Sequence, residues 1–216
     1  MTFSEENYLK SIYTLQKDSP KGVSTNVLSQ YLVTKPASAT EMIKKLNDKD
    51  LVVYQPYQGV LLNKNGEEIA LRVIRKHRLW ETFLAQKLDF SWDEIHDVAE
   101  QLEHIQSEKL IRELDRFLGF PKHDPHGDPI PDADGNVVKM EKKRVSQLEP
   151  GDVGTCIGVN DTSSSFLQFL DQQKIKLGTV LEILNLQEFD KSMLVRIDDR
   201  ELSLSQIATE HIYVRI

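Results

Sequence analysis

Residues 24–49 read STNVLSQYLVTKPASATEMIKKLNDK. Val27, Leu28 and Leu32 follow Ser24 at helical spacing, so a helix is expected from about Ser24 to Tyr31 with these three residues buried. Val33-Thr34-Lys35 forms a short turn. Pro36 fits the first turn of a further helix, where its missing N–H removes no hydrogen bond. That helix is expected over Pro36–Lys49, with Ala39, Met42, Ile43 and Leu46 as its buried stripe. Lys35, Ser38, Thr40, Glu41, Lys44 and Lys45 lie on or near the other side. Two helices joined by so tight a connection have the pattern of a helix-turn-helix.

The flanks extend the pattern. Upstream, a helix is expected over Ser4–Gln16, with Ser4 as N-cap, Glu5 and Glu6 in the first turn, and Tyr8, Leu9, Ile12, Tyr13 and Leu15 as the apolar face. Pro20 and Gly22 break the chain after it. Downstream, Leu51–Tyr54 and Val60–Asn63, joined through Pro56 and Gly59, give a hairpin signal. Three helices and a hairpin match a winged helix-turn-helix; a small α+β domain of another kind fits the same pattern.

Beyond Gly66 the helical signal continues to about Leu88. Ser91-Trp92-Asp93-Glu94 reads as a capping box that opens a helix running to His104 or Ile105. Ser107 caps another helix that ends near Leu118-Gly119. A loop with four prolines spans 121–135. From Lys143 onward the chain turns to β-like runs at Val153–Val159, Thr179–Leu186, Met193–Ile197 and His211–Ile216, with short helical pieces at Phe166–Leu170 and Leu204–Ala208. This predicts a small β-barrel. The expected fold class is therefore mainly α with small β elements. Residues 1–66 form a winged helix-turn-helix, 67–141 a helical domain, and 142–216 a β-barrel domain.

Composition narrows the function classes. The chain has 216 residues, 39% of them hydrophobic and 28% charged, as in a soluble globular protein. No apolar run approaches the roughly 20 residues of a membrane span, and MTFSEENYLK has no secretion signal. Cys156 is the one cysteine, which excludes an intramolecular disulfide and points to a reducing cytoplasm. The net charge of −7 is unevenly distributed. Residues 1–66 carry eight Lys and six Asp or Glu, a net of +2; the remainder carries 19 basic and 28 acidic residues, a net of −9. Nucleic acid would have to meet the front of the molecule.

The chemistry-bearing residues cluster in the second region. His77 and Glu81 stand four apart on one helix face, and His96, Glu100, Glu103 and His104 at offsets of zero, four, seven and eight share another. Ile95, Val98, Leu102 and Ile105 already supply the apolar stripe of the second helix, so the His/Glu face is a separate organised surface. If the two helices pack antiparallel, the polar faces meet. Converging carboxylates repel one another unless a cation lies between them, which points to a divalent metal site. His123, Asp124, His126 and Asp128 in the Pro-rich loop are further candidates. Asp132-Ala133-Asp134-Gly135-Asn136 has the look of a calcium loop, but the place of the first ligand falls on Ile130, so it is read as a turn.

ENYLKSIYTL (6–15), EMIKKLNDKDLV (41–52), RKHRLWETFL (75–84), EIHDVAEQLEH (94–104) and LGFPKHDPHGDPIP (118–131) together resemble the diphtheria-toxin-repressor (DtxR) family of metal-dependent transcriptional regulators. The chain is most similar to its manganese-sensing, MntR-like branch with a C-terminal SH3-like, FeoA-type domain. The resemblance implies a primary metal site of Glu100, Glu103 and His104 with His77 close by. A carboxylate at Glu100, where the iron-sensing branch has a cysteine, implies a harder ion such as Mn²⁺. Where the manganese branch has an aspartate on the first helix, this chain has Asn7, and a further acidic ligand of some members corresponds to Lys10. A second site is implied at Glu81, Asp124, His126 and Asp161, with His96 sharing a site with His77 and Glu81 in the iron branch.

The expected function is a manganese-dependent repressor, with Fe²⁺ as the alternative cofactor. It would work as a cytoplasmic homodimer that binds palindromic double-stranded operator DNA, controls metal-uptake genes and makes no membrane contact. Pro36, Ala37, Ser38, Thr40 and Glu41 would face base edges, and Lys35, Lys44 and Lys45 phosphates. A carboxylate-bridged dimetal enzyme is the rival of another class. Such bundles use Glu-x-x-His pairs, and neither Glu81 nor Glu100 has a histidine three residues on. A winged-helix regulator without metal leaves the His/Glu faces unexplained.

Overall fold

The computed structural model describes every residue except Pro56, Tyr57, Trp92, Lys139, Met140 and Thr162. Pro56 of the expected hairpin turn and Trp92 of the expected capping box therefore lie outside the described residues. The chain divides into two compact units. The first comprises Met1–His77, Gln101–Ser107 and Pro131–Asn136; the second comprises Arg78–Glu100, Glu108–Ile130 and Val137–Ile216.

The first unit opens with α1 (Phe3–Gln16), α2 (Thr25–Tyr31) and α3 (Pro36–Asp48), followed by the antiparallel strands β1 (Val52–Gln55) and β2 (Gly59–Leu62). This is the expected helix-turn-helix with its hairpin. The cap of α1 is Thr2, not Ser4. Thr2 Oγ1 accepts from the Glu5 backbone N–H while the Glu5 carboxylate accepts from that of Thr2. Only Thr2 stands three residues before a glutamate that can return the bond. Ser24 caps α2 by accepting from Val27 N–H, and Pro36 opens α3. Leu9, Ile12, Leu28, Ala39, Ile43, Leu46, Val52 and Val60 close one core. Val27, expected to be buried, is exposed, because the two turns of α2 turn Leu28 inward instead.

Glu5 does more than cap. Its Oε1 lies 2.9 Å from Lys45 Nζ and 2.7 Å from Lys49 Nζ, both on α3 or its C-cap. The hydrogen bond from Lys49 holds the Glu5 carboxyl down at about 2, against the opposing pull of burial.

Helix α4 (Lys64–Lys87) leaves the first unit after His77. Helix α5 (Ile95–Leu102) begins later and ends earlier than its sequence pattern suggests, and α6 (Glu108–Phe117) follows. Glu94 still accepts from the backbone N–H and the hydroxyl of Ser91, but ahead of the helix. After α6 come β3 (Lys143–Arg144), a 3₁₀ turn (Val145–Gln147), β4 (Val153–Val159), α7 (Ser164–Gln172), β5 (Val180–Leu186), β6 (Met193–Ile197), β7 (Arg200–Leu204), α8 (Gln206–His211) and β8 (Ile212–Arg215). No helix among the described residues is long and apolar enough to cross a membrane.

The expected SH3-like β-barrel is not formed. The six strands make one open sheet in the order β3-β8-β4-β5-β6-β7, which leaves β3 and β7 as unpaired edges. Closure requires the first and last strands to hydrogen-bond across the seam, and β3 is only two residues long. Helices bury the apolar face instead. Phe166, Leu167 and Leu170 of α7, Ala208 of α8 and Val145 of the 3₁₀ turn share one core with Cys156, Leu181, Ile183, Val195 and Val214 of the strands. The fold is thus a mainly α N-terminal region followed by an open β-sheet domain.

The Glu5 ion pairs predict a pH-dependent contribution to stability. Glu5→Gln should destabilise the first unit by about 1–3 kcal/mol near neutral pH, because Lys45 and Lys49 lose their shared counter-charge. The folded-state value lies below that of the unfolded chain, so the contribution is complete above roughly pH 4.3 and fades as the pH falls toward about 2. Denaturant titrations of both proteins across that range should show the gap closing on the acid side. A gap independent of pH would rule the ion pairs out as its cause.

Candidate metal centre

Two buried clusters gather acids and histidines, one in each unit. In the first unit α1 supplies Glu6 and Lys10, one helical turn apart. α4 supplies His77. Because α5 stops at Leu102, Glu103 and His104 fall in a turn and point inward, with 0% and 7% exposure. Glu6 Oε2 lies 2.6 Å from His104 Nδ1, and Gln106 Nε2 donates to Glu6 Oε1 at 3.0 Å. His77 Nδ1 lies 2.6 Å from Glu103 Oε2, which also accepts from Lys10 Nζ at 2.9 Å. His104 Nε2 stands 3.8 Å from Glu103 Oε1. The Phe3 ring stacks on His104 at 4.5 Å.

Burial alone would push the Glu103 carboxyl up; the bond with His77 and the charge of Lys10 outweigh it and hold the value below the ordinary range. Among the described residues, Asn7 Oδ1 and Glu103 Oε1 are buried acceptors with no hydrogen-bond donor. Lys10 does pair ionically with that oxygen at 2.8 Å, outside hydrogen-bond geometry. Orphaned buried oxygens are rare, and each calls for a cation or donor. A carboxylate, an amide carbonyl and imidazoles without sulfur suit a hard divalent cation, so the residues present fit one.

In the second unit Glu81, Asp124 and His126 are all buried, with ligand atoms within 4.8 Å of one another. His126 Nδ1 lies 3.8 Å and His96 Nδ1 3.3 Å from Glu81 Oε1. His96 Nε2 is 3.8 Å from Glu100, which is exposed. Glu100 thus belongs with His96 in the second unit, while Glu103 and His104 belong to the first. Asp124 Oδ1 accepts from His126 N–H at 2.8 Å and Asp128 N–H at 3.0 Å, and its Oδ2 faces Arg78 Nε at 3.4 Å. Burial, with the charges of Glu81 and Asp128, raises the Asp124 carboxyl to about 7. Burial likewise lowers His123, whose Nε2 has no hydrogen-bond partner among the described residues. Asp161 is not among the grouped ligands; its Oδ1 accepts from Ser163 N–H at 2.8 Å ahead of α7. Asp132 folds back on the N–H groups of Asp134 and Asn136, the turn its sequence suggests.

Glu6, Gln106 and Arg78 escaped the sequence reading. Glu6 stands in a first turn where acids favour the helix dipole, and no local pattern links it to His104, 98 positions on. On α3, Lys35, Pro36, Ala37, Ser38, Glu41, Lys44 and Lys45 are exposed and Thr40 half-buried, its hydroxyl donating to Pro36 O. Lys45 is shared with Glu5.

Three family models match successive parts of the chain. Residues 1–60 match the iron dependent repressor N-terminal DNA binding domain, residues 63–132 the iron dependent repressor metal binding and dimerisation domain, and residues 143–216 the FeoA domain. A solved manganese-dependent transcriptional repressor in complex with manganese is 38% identical, with a TM-score of 0.88 over 97% of this chain and 98% of that one. The chain belongs to the DtxR family of metal-dependent transcriptional repressors. Another DtxR-family structure, the manganese regulator SloR, is 31% identical with a TM-score of 0.77 and covers 100% and 99% of the two chains. An uncharacterized helix-turn-helix transcriptional regulator of Methanocaldococcus jannaschii is 33% identical over 118 residues, 55% of this chain and 94% of that protein. DtxR-family proteins are regulators rather than enzymes, so the dimetal-enzyme alternative falls.

The loop of the second cluster rests on Gly127. Its φ is +84°, and a Cβ there would lie 1.9 Å from Ile157 O on β4. His126 O accepts from Val159 N–H at 3.0 Å beside it. Gly127→Ala should therefore cost about 2–4 kcal/mol and pull Asp124 and His126 out of register with Glu81. Thermal unfolding and amide exchange at Val159 provide the check; a variant as stable and as protected as the parent would refute the close packing.

Proposed function

We propose that this chain is a manganese-responsive repressor whose first cluster, in the unit that contains the helix-turn-helix, is the sensing site. The observation that carries this reading is the fully buried Glu103 carboxylate beside His104, with the buried Asn7 Oδ1 of the same unit lacking a hydrogen-bond partner among the described residues. Asn7, Glu103 and His104 would hold the ion, with His77 as the further ligand that the family resemblance implies. Glu6 accepts from His104 Nδ1–H and so presents Nε2 as the ligand atom. A bound divalent ion would supply a charge that draws carboxylate, amide and imidazole together. The absence of thiolate favours Mn²⁺ over softer ions, with Fe²⁺ as the competitor.

Helix α1 couples the site to DNA. Leu9 and Ile12 sit in the helix-turn-helix core, Glu5 holds α3 through Lys45 and Lys49, and Glu6 and Lys10 reach the cluster. Ligand binding thereby bears on the helix that positions α3, and it activates only if the DNA-competent arrangement binds the ion more tightly. Pro36, Ala37, Ser38, Thr40 and Glu41 would read base edges, and Lys35, Lys44 and Lys45 would meet phosphates. We assign 1–66 to DNA binding, 67–141 to metal binding and dimerisation, and 142–216 to the sheet domain. Glu81, Asp124 and His126, with His96 and Asp161 as further candidates, would form an ancillary site. Trp80, Phe83, Leu110, Leu114 and Phe117 line an apolar hollow whose Phe117 is 64% exposed, and this surface supports a homodimer. A two-fold dimer suits palindromic operator DNA in the cytoplasm, at genes for metal uptake.

Affinity for such an operator should rise at least ten-fold with Mn²⁺ and collapse in chelator, with Fe²⁺ as the comparison ion. Equal binding in both conditions would overturn the proposal. His104→Ala should raise the Mn²⁺ concentration needed by roughly ten-fold or more, as loss of a ligand or its support does. Lys44→Ala should weaken binding across all sequences and flatten the salt dependence by about one counterion.

A further inference from the structure

A positive side chain is an unexpected component of a cation site, yet Lys10 sits inside this one. Its ammonium lies 2.9 Å from Glu103 Oε2 and 2.8 Å from Oε1, so it straddles the carboxylate. The Lys10 side chain is 17% exposed and that of Glu103 is 0% exposed. His77 takes a further place on Oε2. The oxygen nearest His104 therefore already lies beside a full positive charge delivered by α1.

We propose that Lys10 is a built-in competitor for the sensing site: it stabilises the metal-free cluster, shares Glu103 with an incoming divalent ion, and so sets the metal concentration at which the site fills. This rests on the reading of Glu103 and His104 as metal-binding residues. With both histidines neutral, Glu6 and Glu103 bring two negative charges and Lys10 returns one. An incoming cation then meets a net charge of −1 rather than −2. Two cations on one carboxylate repel each other, and burial makes that repulsion larger than it would be in water. In the empty site the same ammonium has the opposite effect, because a buried carboxylate without a counter-charge is strongly destabilising. It also ties α1 to the 101–107 segment without any ion. Lys10 thus favours the empty state twice over, by compensating Glu103 and by repelling its replacement.

The test uses the full-length chain with Mn²⁺ alone. Titration calorimetry gives Mn²⁺ affinity, and thermal unfolding in chelator gives the stability of the empty state. Lys10→Gln should bind Mn²⁺ roughly ten-fold or more tightly than the parent and unfold at a lower temperature in chelator. Lys10→Arg, which keeps the charge, should stay close to the parent in both. Unchanged or weaker Mn²⁺ binding by a folded Lys10→Gln, while the parent binds Mn²⁺ saturably, would overturn the role of Lys10 and leave the functional reading standing. Absence of saturable Mn²⁺ binding by the parent would overturn both. If Lys10→Gln folds only when Mn²⁺ is added, the ion is replacing the ammonium, as proposed. Failure to fold even then would overturn the proposal, since the two cations would not be interchangeable.

Discussion

A carboxylate with no exposed surface must find its counter-charges inside the protein, and Glu103 draws them from far along the chain. Lys10 precedes it by 93 positions and His77 by 26. Desolvation would otherwise neutralise the group or expel it. Satisfying it brings α1, the first part of α4 and the turn after α5 together. Just past the end of α5 at Leu102, both Glu103 and His104 are buried.

Neighbouring acids on α1 divide the work. Glu5 faces Lys45 and Lys49 and thereby holds α3. Glu6, the next residue, faces His104 and Gln106. Consecutive positions on a helix point roughly 100° apart, so adjacent carboxylates reach different parts of the unit. The first cluster and α3 are therefore joined through adjacent residues, one peptide bond apart, on a helix whose Leu9 and Ile12 sit in the core. The connection is short because one helix carries its own cap, core residues and both acids.

The second cluster shows the same electrostatics with a proton in the balance. Asp124 is buried beside Glu81 and Asp128, with Arg78 as the nearby positive charge, and its carboxyl is raised to about 7. A group whose charged form is so disfavoured is one that a cation can stabilise. The loop that carries it is pinned to β4 through Gly127 and His126, so the open sheet of the second unit gives Asp124 and His126 a firm edge.

Much of this was legible in the residues themselves. The helix-turn-helix, its hairpin and most of the C-terminal strands follow from hydrophobic period and turn residues, which are local properties of the chain. The candidate ligands His77, Glu81, Glu103, His104, Asp124 and His126 were visible as acids and histidines at helical or loop spacing. Local pattern could not reveal that Glu6 serves His104, that Lys10 occupies Glu103, or that Glu100 keeps company with His96 instead. Nor could it decide whether the strands close, because α7 and α8 cover the sheet face that a barrel would have hidden. Periodicity reports which face of an element is buried. Which buried charge meets which depends on contacts between segments remote in sequence, and only the folded chain brings those together.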